Sequence, residues 1–269
     1  RGNAVASVRS DKAQWTGFQA SKGGKVKAFK KNEYTDDIFN NVRFINQIAD
    51  ESHGVIRLSI DTKATLKIGP FSRGGYNRQG SNACDHDFEP EATLKLFGIH
   101  VPETDESYLY FTESNVTADF MVDAIEDLWG SFENQSDLHT IVINADNGPE
   151  NSSRRTQFIK RIVEFATSKS IDVQLAYYPP YHSKYNPVER VWGVLENHWR
   201  GEILDTVDKA IGLAKTMKWK GKNPIVKVVD KIYETGVKLS KSTMKTYERM
   251  LNRLSGLENW FVDILCFSQ

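Results

Sequence analysis

Cysteine is almost missing from this chain: Cys84 and Cys266 are the only two in 269 residues, far apart and without the paired spacing of a thiol metal site. That excludes a disulfide framework and a zinc ribbon, and it fits a reducing compartment. No apolar run approaches the ~20 residues needed to cross a bilayer, and the first residues carry no apolar signal core. A cytoplasmic protein with no membrane partner is expected. Excess charge is missing too: lysine plus arginine and aspartate plus glutamate both number 35, so no global positive field points to nucleic acid. Any such binding must come from local patches. What is there is the make-up of a globular chain, 39% hydrophobic and 26% charged.

Residues 1–40 are polar, with the basic stretch "SKGGKVKAFKK" (21–31), and read as an irregular arm with room for a short hairpin. "DDIFNNVRFINQIADE" (36–51) spaces Ile38, Phe39, Val42, Ile45 and Ile48 as a helix does. In "VIRLSIDTKATLKI" (55–68) the even positions from Ile56 to Ile68 are apolar or small, a period of two that predicts a long strand with Asp61 on its polar face. A glycine-rich loop follows, containing "DHDF" (85–88), then strands at 92–100 and 107–114 and a helix at 117–132 with Thr117 as its cap. After that the order alternates: strand 140–146, helix 154–168, strand 172–178 and helix 187–199. Residues 203–265 read as mostly helical, broken by "KWKGKNP" (218–224) and closed by the apolar "LENWFVDIL" (257–265). Three sequential strands followed by alternating units predict an α/β fold, a mixed five-stranded sheet flanked by helices, with a helical C-terminal extension.

Three acids occupy positions where such folds collect function. Asp61 lies on the first strand, Asp146 at the carboxyl end of the fourth, and Glu189 in the first turn of the helix after the fifth. They converge if the first and fourth strands are neighbours. Three oxygen donors without a histidine or cysteine cluster suit Mg²⁺ or Mn²⁺. Two such ions would turn a site of charge −3 into one of about +1, attractive to a phosphodiester. Each acid also has a plainer reading: Asp146 as a turn residue in "DNGPEN", Asp61 as a solvated strand position, and Glu189 as half of a capping box with Asn186, behind Pro187 at the first helical position. Gly193, one turn beyond Glu189, implies either room kept beside that carboxylate or a close helix contact.

Around these acids stand candidate DNA contacts. Arg154 and Arg155 open a helix beside "DNGPEN", and His182, Lys184 and Tyr185, with Tyr181, lie on the loop that delivers Glu189. Lys218, Lys220 and Lys222 interleave with Trp219 as a surface tracking a nucleic-acid backbone would. Solvated surface positions, and a structural role for His182, are the alternatives.

Together "LSIDTKA" (58–64), "DNGPENSSRRTQF" (146–158) and "AYYPPYHSKYNPVERVWGVLE" (176–196) resemble the catalytic core of the DDE transposases of bacterial insertion sequences, in the mariner-related group. "DHDFEPEAT" (85–93), "MKWKGKNP" (217–224) and "LENWFVDI" (257–264) look like that type as well, so the resemblance runs from about residue 50 to the C-terminus. It implies an RNase H-like fold with residues 51–202 as catalytic core, 203–269 as the C-terminal extension and 1–50 as an arm and linker helix, the family's DNA-binding region being expected upstream. It implies Asp61, Asp146 and Glu189 as catalytic, metal-binding residues holding two Mg²⁺ or Mn²⁺ ions. It further implies DNA as partner, a homo-oligomer such as a dimer, and a place in the bacterial cytoplasm or nucleoid. The 43 residues between Asp146 and Glu189 exceed the mariner spacing and place extra loop before the last catalytic helix. The expected activity is phosphodiester hydrolysis at element ends followed by 3′-hydroxyl strand transfer. The alternatives are a silent remnant that binds DNA or oligomerises, and a structure-selective nuclease.

Overall fold

The computed structural model describes residues 34–74 and 89–266. The "DHDF" stretch, the basic 21–31 stretch and Cys84 therefore lie outside the described residues.

The first helix, α1 (Thr35–Glu51), buries Ile38 and Val42 and matches its predicted span. Strands β1 (Val55–Ile68), β2 (Ala92–Val101) and β3 (Glu106–Thr112) form an antiparallel meander. Helix α2 (Ala118–Trp129) follows, with the Thr117 side chain accepting from the Phe120 amide as a cap. Next come β4 (Thr140–Ala145), α3 (Thr156–Lys169), β5 (Asp172–Tyr177) and α4 (Pro187–Trp199). The central strand order is β3-β2-β1-β4-β5, with β4 and β5 parallel to β1, which makes the first and fourth strands neighbours as the RNase H-like expectation requires.

The sheet is larger than the expected five strands. Among the described residues it has eight, because the C-terminal region, expected to be mostly helical, adds β6 (Ile225–Val228), β7 (Leu251–Arg253) and β8 (Phe261–Ile264) beside α5 (Val207–Thr216) and α6 (Lys241–Glu248). β6 pairs with β3 at one edge, and β8 pairs with β5, carrying β7 outside it. "FVDI" is four residues long, too short for periodicity to separate strand from helix, and the open edge of β5 decides.

The long period-two pattern of β1 conceals a change of face. Lys63 pairs with Leu96 but Leu66 with Leu94, a bulge that inserts one residue and inverts the alternation beyond it. Ile56, Leu58 and Ile60 consequently join the core under α2 and α3, whereas Leu66 and Ile68 join the core under α4 and α5. Both faces of β1 are covered, so Asp61 is not a solvated strand position; it is only 8% exposed.

Because β8 is an inner strand, Ile264→Ala, at a fully buried position, is expected to cost about 2–5 kcal/mol. Urea unfolding should show the loss as a shifted midpoint of one transition shared by all probes; a separate early transition would mean that the C-terminal strands fold apart from the core.

Candidate active site

β1 and β4 run parallel with Ser59 opposite Asn144. Two residues further along each chain, Asp61 and Asp146 stand at one level, Asp61 still in the strand and Asp146 just past the end of β4. Glu189 arrives from the first turn of α4, whose start is fixed by bonds to β1 and not by its own cap. The Asn186 side chain does not cap the helix. Its Oδ1 accepts from Ser59 Oγ at 2.5 Å and its Nδ2 donates to the Ile60 carbonyl at 2.9 Å, both buried. Ser59 Oγ in turn accepts from the Val188 amide at 2.9 Å. The cap is thus supplied from the strand, at the residues just before Asp61.

The capping-box reading of Glu189 fails on the same bonds. The Asn186 amide, which Glu189 would have to reach, donates to the Ser183 carbonyl at 2.7 Å. Glu189 makes no ion pair among the described residues, unlike Glu196 two turns later, which Lys63 and Arg73 grip at 2.6 and 2.9 Å. Gly193 is exposed with open space around it, so no close helix contact accounts for it.

Asp61 feels the charges of both other acids. Burial first, then the charges of Asp146 and Glu189, push its carboxyl up to about 7 from the usual 3.8, against hydrogen bonds from Trp192 and the Thr62 backbone that pull the other way. Trp192 Nε1 donates to Asp61 Oδ2 at 2.8 Å. The indole reaches it by lying over Gly98, the β2 partner of Asp61; a Cβ at Gly98 would fall 2.5 Å from the ring. Asp146 is held by its own turn: its Oδ1 accepts from the Gly148 amide and from Asn151 Nδ2, both at 3.1 Å. The C-terminal segment braces that turn, the Asn259 carbonyl accepting from Asn147 Nδ2 at 3.2 Å and Ser153 Oγ at 2.8 Å.

Asp61 and Asp146 line one cavity of about 270 Å³ with Thr62, Met121, Gly148 and Asn151. Its donors are oxygens, and the Asp61 carboxyl is raised by the charges around it, so the residues fit a hard divalent cation. Among the described residues no three acidic, histidine or cysteine side chains are already close enough to grip one ion.

The other sequence candidates are scattered. Arg155 precedes α3 and is bound to Glu150 at 3.1 Å, while Arg154 is exposed and lines a second cavity with Arg253 and Glu248. His182 is buried, packed edge-on against Phe39 at 5.2 Å and stacked on Tyr185, so it props the loop before α4. Lys184 lies over the Tyr185 ring at 5.1 Å, and Tyr181 is 82% exposed on that loop. Lys218 is exposed. Lys220 binds Asp105 at 2.9 Å and Lys222 the Thr104 carbonyl at 2.7 Å, fastening the β2–β3 turn, away from the carboxylates. Sequence reasoning missed Ser59, Gly98, Asn151 and the non-core role of Trp192. A serine two residues before Asp61, among the apolar Leu58 and Ile60, was the one visible hint.

Two outcomes follow from this geometry. Ser59→Ala strips the Val188 amide and leaves Asn186 Oδ1 buried without a donor, an expected cost of about 1–3 kcal/mol in urea unfolding. For Asp61, a folded-state pKa above the unfolded 3.8 means that its stabilising effect is full below pH 3.8 and is lost as pH rises towards 7. In chelator, stability should fall across that window by up to about 1.4 kcal/mol per pH unit, and Asp61→Asn should flatten the slope.

Comparison with known proteins gives the same direction from outside. A family model described as the Rhodopirellula transposase DDE domain matches residues 5–266. No curated protein matches the chain. Similar solved structures include the Mos1 transposase paired-end complex with left transposon end, at 12% identity and a TM-score of 0.41, covering 70% of this chain and 57% of that one. The Mos1 mariner paired-end complex with Mn gives 12% identity, a TM-score of 0.42 and the same coverage. The Mos1 strand transfer complex gives 11%, 0.38, and 71% and 57%. The chain thus spans a little over half the length of these transposases.

Proposed function

Because this chain belongs to the DDE transposase domain family described from Rhodopirellula, we propose that it is the catalytic part of an insertion-sequence transposase, cleaving DNA at the element ends and joining the freed 3′-hydroxyl to target DNA. The observation that carries the reading is that Asp61, on β1, and Asp146, just past the end of the neighbouring parallel strand β4, line one cavity, with Glu189 in the first turn of the helix fastened beside Asp61. Asp61, Asp146 and Glu189 are the residues that would hold two Mg²⁺ or Mn²⁺ ions. When bound, such ions neutralise charge on the phosphodiester and activate the attacking oxygen.

The chain's own contribution is placement. Ser59 and Asn186 hold the start of α4 on β1, so Glu189 and Asp61 keep a fixed separation. Trp192 fixes one oxygen of Asp61, and the Gly148 and Asn151 donors fix one oxygen of Asp146. In-line phosphoryl transfer asks little of a protein besides such positioning and charge. DNA is the expected partner, in an assembly of two copies, and the exposed Tyr181 and Lys184 beside Glu189 are its nearest candidate contacts.

In a Mg²⁺ assay on labelled element ends, Asp61→Asn, Asp146→Asn and Glu189→Gln are each expected to lower cleavage at least about 100-fold, or about 2.7 kcal/mol of transition-state stabilisation, while remaining folded. Full cleavage and joining by Asp61→Asn would defeat the reading. Cleavage without joining would instead indicate a nuclease.

A further inference from the structure

Among the described residues, five side-chain atoms are buried without a hydrogen-bond partner, on Arg73, Asn144, Asn151, Arg155 and Trp219. Of these residues only Asn151 lines the cavity that holds Asp61 and Asp146. Asn151 is held at two points. Tyr177, at the end of β5, donates its hydroxyl to the Asn151 backbone carbonyl at 2.7 Å, and the side-chain Nδ2 donates to Asp146 Oδ1 at 3.1 Å. That second bond sets which way the amide faces, since a carboxylate oxygen takes a donor and the amide oxygen cannot supply one. Asn151 Oδ1 is left as an acceptor with no donor, on a residue only 3% exposed.

An orphaned buried carbonyl costs about 1–3 kcal/mol and is rare, so its presence in this cavity calls for a donor that arrives with the site's contents. The space beside it is kept open by Gly148. A Cβ there would stand 3.2 Å from Asn151 Oδ1 and 3.1 Å from Asp146 Oδ1. Gly148 is not among the positive-φ glycines, so its backbone does not require glycine; the vacant side-chain position does. Mg²⁺ and Mn²⁺ sites keep several waters, and each such water is a strong donor in search of an acceptor.

We propose that Asn151 is a positioning residue for the cation site: its amide nitrogen holds Asp146, and its amide oxygen accepts a hydrogen bond from a water bound to the divalent ion. The inference rests on the metal-dependent reading above and adds a residue to it. A neutral amide suits the task, because it orients both a ligand and a water without adding negative charge to a cavity that Asp61, Asp146 and Glu150 already line.

The test is Mn²⁺ binding by the full chain without DNA, following the electron paramagnetic resonance signal of free Mn²⁺. Asn151→Leu keeps the volume but removes both polar functions. It should weaken Mn²⁺ binding by about 10–100-fold while the metal-free protein melts close to wild type, since a hydrogen bond and an orphaned carbonyl are lost together. Where the leucine variant does not fold, Asn151→Ser, whose hydroxyl is too short to serve both partners, should show the same weakening. Wild-type affinity within twofold in either folded variant, with Asp146→Asn abolishing binding, would overturn the role of Asn151 and leave the metal-dependent reading standing. Equally weak binding by wild type and Asp61→Asn would overturn both.

Discussion

Everything at the carboxylate site depends on a helix start that is fastened to a strand. A helix beginning at Pro187 has free amides that need an acceptor, and the acceptor for Val188 comes from Ser59 on β1. Asn186 closes the triangle, its Oδ1 accepting a hydrogen bond from the Ser59 hydroxyl and its Nδ2 donating one to the Ile60 carbonyl. The two chain segments meet within two residues of Asp61 on one side and three of Glu189 on the other. Helix–strand packing alone, through Val188, Trp192 and Leu195, would leave the helix free to slide or rotate slightly on an apolar surface. The polar triangle removes that freedom, because any slip would strand three buried hydrogen-bonding groups at once.

The same region stores an electrostatic conflict at Asp61. Its buried carboxyl is raised by burial and by the charges of Asp146 and Glu189, and the neighbouring donors meet the two aspartates only in part: an indole for Asp61, an amide and a side-chain amide for Asp146. Cations that would relieve the conflict, such as Lys63 and Arg73, are spent on Glu196. The protein therefore neutralises the acid next along the helix and, among the described residues, gives Glu189 no ion pair. An arrangement selected only for stability would not distribute its charges so.

Much of the architecture was legible in the sequence because its signals are local. Period-two alternation located β1, and 3.6-residue periodicity located α1, α2 and α4 to within a few residues. Spacing and order of the "LSIDTKA", "DNGPEN" and "NPVERVW" stretches gave the three acids. What escaped was non-local. No local pattern reveals that Leu66 changes face relative to Ile60, since a bulge is a property of the pairing with β2. Short strands β6, β7 and β8 exist because open sheet edges receive them. Trp192 has the spacing of a core residue and is one; only the missing side chain at Gly98, a strand away, lets its nitrogen reach Asp61. Lys220 and Lys222 read as a basic surface, yet their charges are absorbed by a turn more than a hundred residues earlier.

The place of β8 has a consequence for how the molecule comes into being. It is the last strand of the chain in the described residues, yet it lies between β5 and β7 and its segment carries the Asn259 carbonyl that braces the Asp146 turn. During synthesis every other strand of the central sheet is available before it. Until residues 261–264 dock, β5 presents a bare edge and the loop bearing Asp146 lacks its support. Pairings of such long sequence separation form late and slowly. The charged centre is therefore assembled only after residues 261–264 have been made, and a copy stopped short of them, even one containing all three acids, lacks the strand whose segment braces the Asp146 turn.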